Sequence, residues 1–342
     1  MTGSNLIETP AVGHGAVPEP RHADADRLMG EVDATRLPPG RWPAARSVPV
    51  SVLVPVKNEE ANIVECLRHL QWAGEVTVID SQSKDRTVAL SQAMGADVYQ
   101  FYVSAEGWPK KRNWALANVP WKHEWVLIID ADEHVTPELA EEIRQVVTGA
   151  YPRDSDPVKA GSGDGYWLNR KLIFMGRWIK GCGYYPSWNV RLFKHAVGRY
   201  ERIGTAGNTQ SGDNEVHEHV VLSTGPAGYL KHDFLHYAYP DLYSWVEKHN
   251  RYTSWEAHTM EGGGGGELKA SLFGSPVERR RWIKRWSRRL PFRPTLRFIY
   301  GYIIRRGILD GYPGYVICRL MAWYEFMSIA KYRELKRKRM SS

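Results

Sequence analysis

Between residues 48 and 130 the apolar residues fall in short unbroken runs, among them Val50-Ser51-Val52-Leu53-Val54-Pro55-Val56, Val76-Thr77-Val78-Ile79 and Trp125-Val126-Leu127-Ile128-Ile129. Runs of this length, rich in β-branched residues, predict strands covered on both faces, as in a parallel sheet. A further strand is expected over 97–103. Helical spacing fills the gaps: Ile63, Leu67 and Leu70 predict a helix over about 61–72. A second helix reaches Met94 after a turn in which Ser83 or Asp85 offers an N-cap, a third ends near Asn118, and a fourth spans 136–148. Strand and helix alternating four times predict an α/β fold with a mostly parallel sheet between helices.

After a Gly, Asp, Ser and Pro rich loop over 151–165 the rhythm changes to shorter β-like runs over 166–174, 188–194 and 216–222, which predict a mixed or antiparallel half. Residues 241–260 read as a helix, and the five glycines 262–266 as a hinge or disordered loop. The expected organisation is a disordered, Pro-rich tail over 1–48, a main α/β domain over 49–261 divided into 49–149 and 150–261, and a basic helical segment over 267–339.

Composition sharpens this. An apolar share of 43% excludes wholesale disorder. Cys66, Cys182 and Cys318 are odd in number and far apart, which argues for a reducing compartment rather than a disulfide framework. No basic start followed by an apolar run marks a secretory signal, and no apolar run has the roughly 18 to 20 residues of a membrane span. The net charge of +8 is unevenly placed: from Glu267 to Ser342 there are 19 Lys and Arg against 5 Asp and Glu, so the preceding residues are net acidic. In 278–289, Trp282, Ile283 and Trp286 lie among arginines, the pattern of an interfacial amphipathic helix, with further helical candidates over 294–309 and 315–336. A peripheral, cytoplasmic position on the inner face of an anionic membrane is the expectation. The alternative packs Trp282, Phe298 and Trp323 against the main α/β domain.

The chemistry concentrates where the strand over 125–129 ends in Asp130-Ala131-Asp132-Glu133. A buried strand gains nothing from closing on three mutually repelling carboxylates, and open α/β sheets bind ligands at the carboxyl ends of their strands. Asp130 and Asp132 offer hard oxygen ligands, which suits Mg²⁺ or Mn²⁺ holding a diphosphate; Glu133 has a helix cap as its alternative role. Gly-x-Gly-x-x-Gly is missing after the first strand, and so is a Gly-Lys-Ser/Thr loop, which disfavours dinucleotide and P-loop chemistry. His217, His219, His232 and His236 are too loosely spaced for structural zinc; His236 or His217 instead completes the metal's shell or binds phosphate.

These pieces, in order, resemble family 2 glycosyltransferases of the GT-A fold, a Rossmann-like nucleotide-diphospho-sugar transferase architecture. The nearest likeness is to bacterial lipopolysaccharide-core β-glucosyltransferases. The likeness rests on 54–60, Val78-Ile79-Asp80-Ser81-Gln82-Ser83-Lys84-Asp85, 110–116, Asp130-Ala131-Asp132-Glu133, Met175-Gly176-Arg177, 188–193 and Val216-His217-Glu218, and it covers about 50–335. Gln82 departs from it, standing where many members have glycine. The resemblance implies that Pro55, Val56, Asn58 and Glu59 line the nucleoside pocket and that Asp80 accepts a pyrimidine N–H. It also implies that Lys111 and Asn113 face the base or diphosphate, that Ala131 lies between the two ligand acids in the donor site, and that Arg191 points to the diphosphate. The expected metal ligands are Asp130, Asp132 and His236, with Glu218 as the base and Glu215 its rival.

The implied activity is metal-dependent, inverting transfer from a nucleotide sugar, UDP-linked, to a hydroxyl of a lipid-anchored or cell-envelope glycan. A polyprenyl phosphate acceptor is the alternative within the fold. Nucleic-acid binding by the basic segment, a different class of function, leaves Asp80, Asp130 and Asp132 unexplained and is not expected.

Overall fold

The computed structural model describes residues 48–103, 109–152, 157–201, 203–204, 219–261, 265–266, 271–273, 278–279, 282–283 and 291–341. The expected tail, Glu215, His217, Glu218 and most of the basic helix over 278–289 lie outside these residues.

The first half alternates as its hydrophobic pattern predicts: β1 (Val48–Val56), α1 (Ile63–Arg68), β2 (Ala73–Asp80), α2 (Thr87–Ala93), β3 (Asp97–Gln100), α3 (Lys111–Asn118), β4 (Trp125–Ile128), β5 (Glu133–Val135) and α4 (Pro137–Val147). The second half holds α5 (Pro157–Ala160), β6 (Gly165–Phe174), β7 (Arg177–Trp178), β8 (Trp188–Lys194), β9 (Gly198–Tyr200), β10 (Ile203–Gly204), β11 (Val220–Leu222) and β12 (Gly228–His236). It continues through α6 (Leu242–Glu261), β13 (Gly265–Gly266), α7 (Arg293–Ile299) and α8 (Gly311–Ser341). A π-helical turn over Tyr300–Ile304 and a 3-10 turn over Gly307–Asp310 join the last two helices.

The main sheet runs β3-β2-β1-β4-β8-β6-β12-β5, with β7 beside β6. The pairs β3–β2, β2–β1 and β1–β4 are parallel; β8 is antiparallel to both β4 and β6, β12 is parallel to β6, and β5 is antiparallel to β12. This is a mixed α/β sheet, parallel through β3-β2-β1-β4, the arrangement that the resemblance to the GT-A fold implies. Apolar layers cover both of its faces: Val52, Val54 and Leu127 sit in one, Leu53, Val126 and Ile128 in the other. Complete burial of each such side chain contributes about 1.5–3 kcal/mol, which holds the strand ends in fixed register.

Several strands escape the sequence pattern, β5 and β12 of the main sheet among them. β5 is only three residues long, and β12 alternates poorly because its register against β6 shifts between Tyr229 and Asp233. At the glycine run, Gly265 and Gly266 pair with Gly204 and Ile203 instead of forming a hinge at those two positions. The C-terminal helices dock on the sheet: Phe298, Tyr302 and Trp323 pack against a core of Leu172, Phe174, Trp245 and Ile317. Trp245 stacks on His249 at 3.6 Å and tilts against Trp323 at 6.1 Å. Among the described residues no helix is long and apolar enough to cross a membrane.

Candidate functional site

The parallel register sets Val56 beside Asp80 and Leu53 beside Ile128, so the ends of β1, β2 and β4 open on one edge of the sheet. The loops after β1 and β2 are stitched together there. Asn58 N–H donates to Ser83 Oγ (2.7 Å), Lys84 N–H to Asn58 Oδ1 (2.8 Å), Glu59 N–H to Thr87 Oγ1 (2.7 Å) and Arg86 N–H to Glu60 Oε2 (2.9 Å). Asn58 takes a φ of 56°, which asparagine tolerates better than most residues.

Asp80 is fully buried at the end of β2, and its carboxylate accepts Ser83 N–H at 2.9 Å and the Ser83 hydroxyl. It therefore shapes the turn, while each oxygen keeps a second lone pair. Gln82 adopts φ 60°, the left-handed conformation that a glycine would take without strain. Asp85 caps locally by accepting Thr87 N–H at 3.0 Å.

Two expectations about α3 are corrected. Lys111 is neither solvated nor turned to a diphosphate: it is buried and donates through Nζ to the Val56 carbonyl at 2.7 Å, tying α3 to the end of β1. Asn113 spends its amide on the backbone of Tyr200, accepting its N–H and donating to its carbonyl, both at 2.9 Å. An amide committed at both ends to another strand is a clamp between α3 and β9. Pro55 and Val56 belong to β1, with Val56 buried and its carbonyl also accepting Ser81 N–H at 3.1 Å.

The acids after β4 separate into distinct roles. Asp130 accepts from Arg112 at 2.5 Å and from Arg191 at 2.9 Å, one guanidinium on each carboxylate oxygen. Burial works against this charge, but the two arginines hold its carboxyl far below the usual range. Glu133 does not cap α4, since Thr136 Oγ1 accepts Leu139 N–H there. Instead it is completely buried, accepting Asp130 N–H at 2.9 Å and Arg191 at 2.7 Å. Burial pushes the Glu133 carboxyl upward against the pull of Arg191, whose own guanidinium is held charged by Glu133 and Asp130 despite its burial. Arg191 is thus the internal counter-ion of the acidic loop. Ala131, buried between the two aspartates, lets the backbone turn without adding side-chain bulk.

Asp132 faces another way. Pairing of β5 with β12 sets Glu133 opposite His236, Tyr237 N–H donates to the Asp132 carbonyl at 2.8 Å, and His236 Nε2 then lies 3.3 Å from Asp132 Oδ2. Burial would raise the Asp132 carboxyl, but His236, with help from Lys248, holds it down to about 2. Lys248 comes from α6, and although burial opposes its charge, Asp132, Tyr252, Glu59 and Asp130 keep its ammonium above the usual lysine range. Glu59 is raised by burial and by the nearby Asp132 and Asp130, against Asn62 and Lys248.

Glu59, Asp130, Asp132, His236 and Lys248 therefore share one electrostatic neighbourhood at the carboxyl ends of the central strands. Sequence reasoning missed Arg112 and Lys248. Arg112 stood in plain view in the Lys110-Lys111-Arg112 run, whereas Lys248 carried no signal, because nothing local says that α6 returns to the strand ends.

What a pair of ligands needs can be tested on Asp132 and His236. One carboxylate oxygen and one imidazole nitrogen converge, and a hard oxygen with a borderline nitrogen suits a first-row divalent cation. Among the described residues, His236 Nδ1 is buried without a hydrogen-bond partner. Asp130, with both oxygens under guanidiniums, is the weaker ligand of the two acids.

An edge of carboxylates, two loops bound to each other and an aspartate–histidine pair make up the candidate site, and comparisons with known proteins show what the chain resembles. Residues 51–196 match the family described as Glycosyl transferase family 2. The lipopolysaccharide core biosynthesis glycosyltransferase LpsC of Rhizobium meliloti is 25% identical over 293 residues, covering 83% of this chain and 92% of its own. A glycosyltransferase of Rickettsia typhi, RT0209, is 26% identical over 296 residues, covering 84% and 88%. The mannosyltransferase PcManGT from Pyrobaculum calidifontis, solved with GDP-Man and Mn²⁺, superimposes only loosely, with a TM-score of 0.40 and 16% identity over 91% of this chain and 95% of that one.

Proposed function

We propose that the enzyme moves a sugar, with inversion, from a UDP-linked donor to a hydroxyl of a lipid-anchored or cell-envelope glycan, working peripherally on the inner face of the membrane with Mg²⁺ or Mn²⁺. The observation that carries the metal reading is the 3.3 Å approach of His236 Nε2 to Asp132 Oδ2 at the strand ends. Likeness to LpsC, whose name places it in lipopolysaccharide core biosynthesis, supports the envelope acceptor.

Asp132 and His236 would hold the ion. When bound there, a divalent cation neutralises the oxygens that gain charge as the nucleoside diphosphate departs. Pro55, Val56, Asn58, Glu59 and Asp80 shape the nucleoside pocket through the two stitched loops. Lys248 contributes a second positive charge beside Asp132, suited to an anionic leaving group. Arg191 and Arg112 keep Asp130 ionised and the acidic loop rigid, so their part is to position it. Glu218 takes the proton of the acceptor hydroxyl as the new bond forms, which an inverting transfer requires on the face opposite the leaving group.

The test is donor hydrolysis across UDP- and GDP-linked sugars with Mn²⁺, Mg²⁺ or chelator. Turnover of a UDP-sugar that chelator abolishes and Mn²⁺ restores is expected. Equal turnover in chelator, or normal transfer by an Asp132→Asn variant at saturating metal, would remove the metal from the mechanism.

A further inference from the structure

Away from the acidic loop, β7 and the turns between α7 and α8 enclose a pocket of about 560 Å³. Arg177, Lys180, Arg305 and Arg306 line it, with Trp178 and Leu309, and Asp310 is the acid among its lining residues. That acid is already committed. Asp310 is buried, and its two oxygens accept the backbone N–H groups of Lys180 (3.1 Å) and Gly181 (2.7 Å). Its carboxylate fastens the pocket floor, and against that single negative charge the four cations leave a net excess of three positive charges.

The chain is built to bring those cations together. A Cβ at Gly181 would lie 2.7 Å from the Arg306 carbonyl oxygen and 2.8 Å from that of Arg305, so only glycine lets this segment approach. Cys182 N–H donates to the Arg305 carbonyl at 3.1 Å. Arg306 holds φ 56°, a left-handed conformation that a bulky side chain rarely takes. Lys180 and Lys171 both sit over the Trp178 ring, at 4.6 and 4.7 Å.

What adjoins the pocket is apolar and exposed. In Ile303-Ile304-Arg305-Arg306-Gly307-Ile308-Leu309 the aliphatic side chains are 53–70% exposed on both sides of the arginines, and Leu309 also lines the pocket. Phe292, at the start of α7, is 81% exposed. Exposed aliphatics in this density mark an interaction site. A soluble anion would use the cations and leave the aliphatic lip wet; an apolar partner would use the lip and leave the excess positive charge unmatched. An amphiphile uses both.

We propose that this pocket receives the phosphate headgroup of an anionic membrane lipid, while Ile303, Ile304, Ile308 and Leu309 enter the acyl boundary of the same leaflet. The inference deepens the peripheral placement proposed above by giving it a surface, distinct from the basic run over 278–289. It does not depend on the chemistry of transfer.

The experiment uses the full chain and vesicles of phosphatidylethanolamine with phosphatidylglycerol, against phosphatidylcholine alone, with UDP-sugar hydrolysis measured in parallel as the check on fold and donor site. The parent sediments with the anionic vesicles only, and less so as salt rises. R305Q/R306Q weakens binding about 25-fold, roughly five-fold per charge removed. I308S/L309S, which alters two exposed side chains, also weakens it. Both variants keep parental hydrolysis. Sedimentation unchanged in R305Q/R306Q overturns the proposal, and so does a loss confined to that variant with I308S/L309S unaffected. Release of the parent by inorganic phosphate, where chloride of equal ionic strength does not release it, makes the pocket a site for soluble anions and also overturns it. Loss of hydrolysis with vesicle binding intact would count against the donor-site reading instead.

Discussion

His236 Nε2 stands 3.3 Å from Asp132 Oδ2 because the backbone N–H of the next residue, Tyr237, is bonded to the Asp132 carbonyl at 2.8 Å. The side-chain pair is thus set by main-chain pairing between β5 and β12 rather than by the side chains themselves. Mn²⁺ titration followed by electron paramagnetic resonance should show binding in the parent with UDP present. In Asp132→Asn and His236→Ala the affinity should fall by at least ten-fold, the loss expected when a ligand or its support is removed. Equal affinity in both variants would place the ion elsewhere.

Arg191 answers two carboxylates from one guanidinium. Its replacement by methionine leaves Glu133 buried without its counter-ion, a defect worth about 3–5 kcal/mol. Urea unfolding should register that loss. The double variant Arg191→Met/Glu133→Gln should be less destabilised than the two single losses combined, because the orphaned charge is gone. Additive losses would show that the ion pair does not couple these residues.

Gln82 offers a change in the opposite direction. Its left-handed backbone costs a side-chain-bearing residue about 1–2 kcal/mol, and glycine's greater freedom when unfolded returns about 0.5–1 of that. Gln82→Gly should therefore raise stability slightly, while Gln82→Val should lower it by about 1 kcal/mol or more. Thermal melts decide between them; a destabilised glycine variant would mean that the Gln82 side chain contributes what the strain removes.

His134 on β5 stacks on His69 at 4.5 Å and lies 4.7 Å from Tyr237. Burial, then the neighbouring His69, lowers its pKa from 6.5 to about 4. His249, buried against Trp245, falls likewise to about 4. Between pH 6.5 and 4 the unfolded chain takes up protons at these sites that the folded chain refuses, so stability present above pH 6.5 is lost as pH falls toward 4. His134→Gln should flatten that loss in denaturant unfolding measured across the window. An unchanged slope would mean that His134 takes up its proton at the same pH in the folded and unfolded chain.

Glu218→Gln should lower transfer to a hydroxyl acceptor by roughly 10²–10⁴-fold while leaving donor binding intact, as loss of a general base does. Glu215→Gln should retain activity. Reversal of the two would move the base by three residues. Full activity of Glu218→Gln on a phosphate acceptor, which is already an anion, would mark that acceptor as the natural one.

The parallel half was legible because buried strands announce themselves as unbroken apolar runs, as in the fully covered Val50, Val52, Leu53 and Val54. The acids were legible for a related reason, since carboxylates following such a run have no packing purpose. Their division of labour was not. That Asp130 is held by Arg112 and Arg191, and that Lys111 is buried under Val56, depends on which strands become neighbours across the sheet. β12 stayed hidden because Lys231, His232 and Asp233 interrupt its apolar alternation where its register slips. The aliphatics of 303–309 carry a helix-like composition, yet they break into a π turn and a 3-10 turn that expose them.

β5 contributes three residues to the sheet and finds its partner roughly a hundred positions later in the chain, a separation that delays its closure. A nascent polypeptide stopped after α4 would already carry Asp130, Asp132, Glu133 and Arg112, but neither His236 nor Arg191, which pair with them in the finished chain. The charges around Asp132 thus come together only once the chain has passed β12 and reached Lys248 on α6.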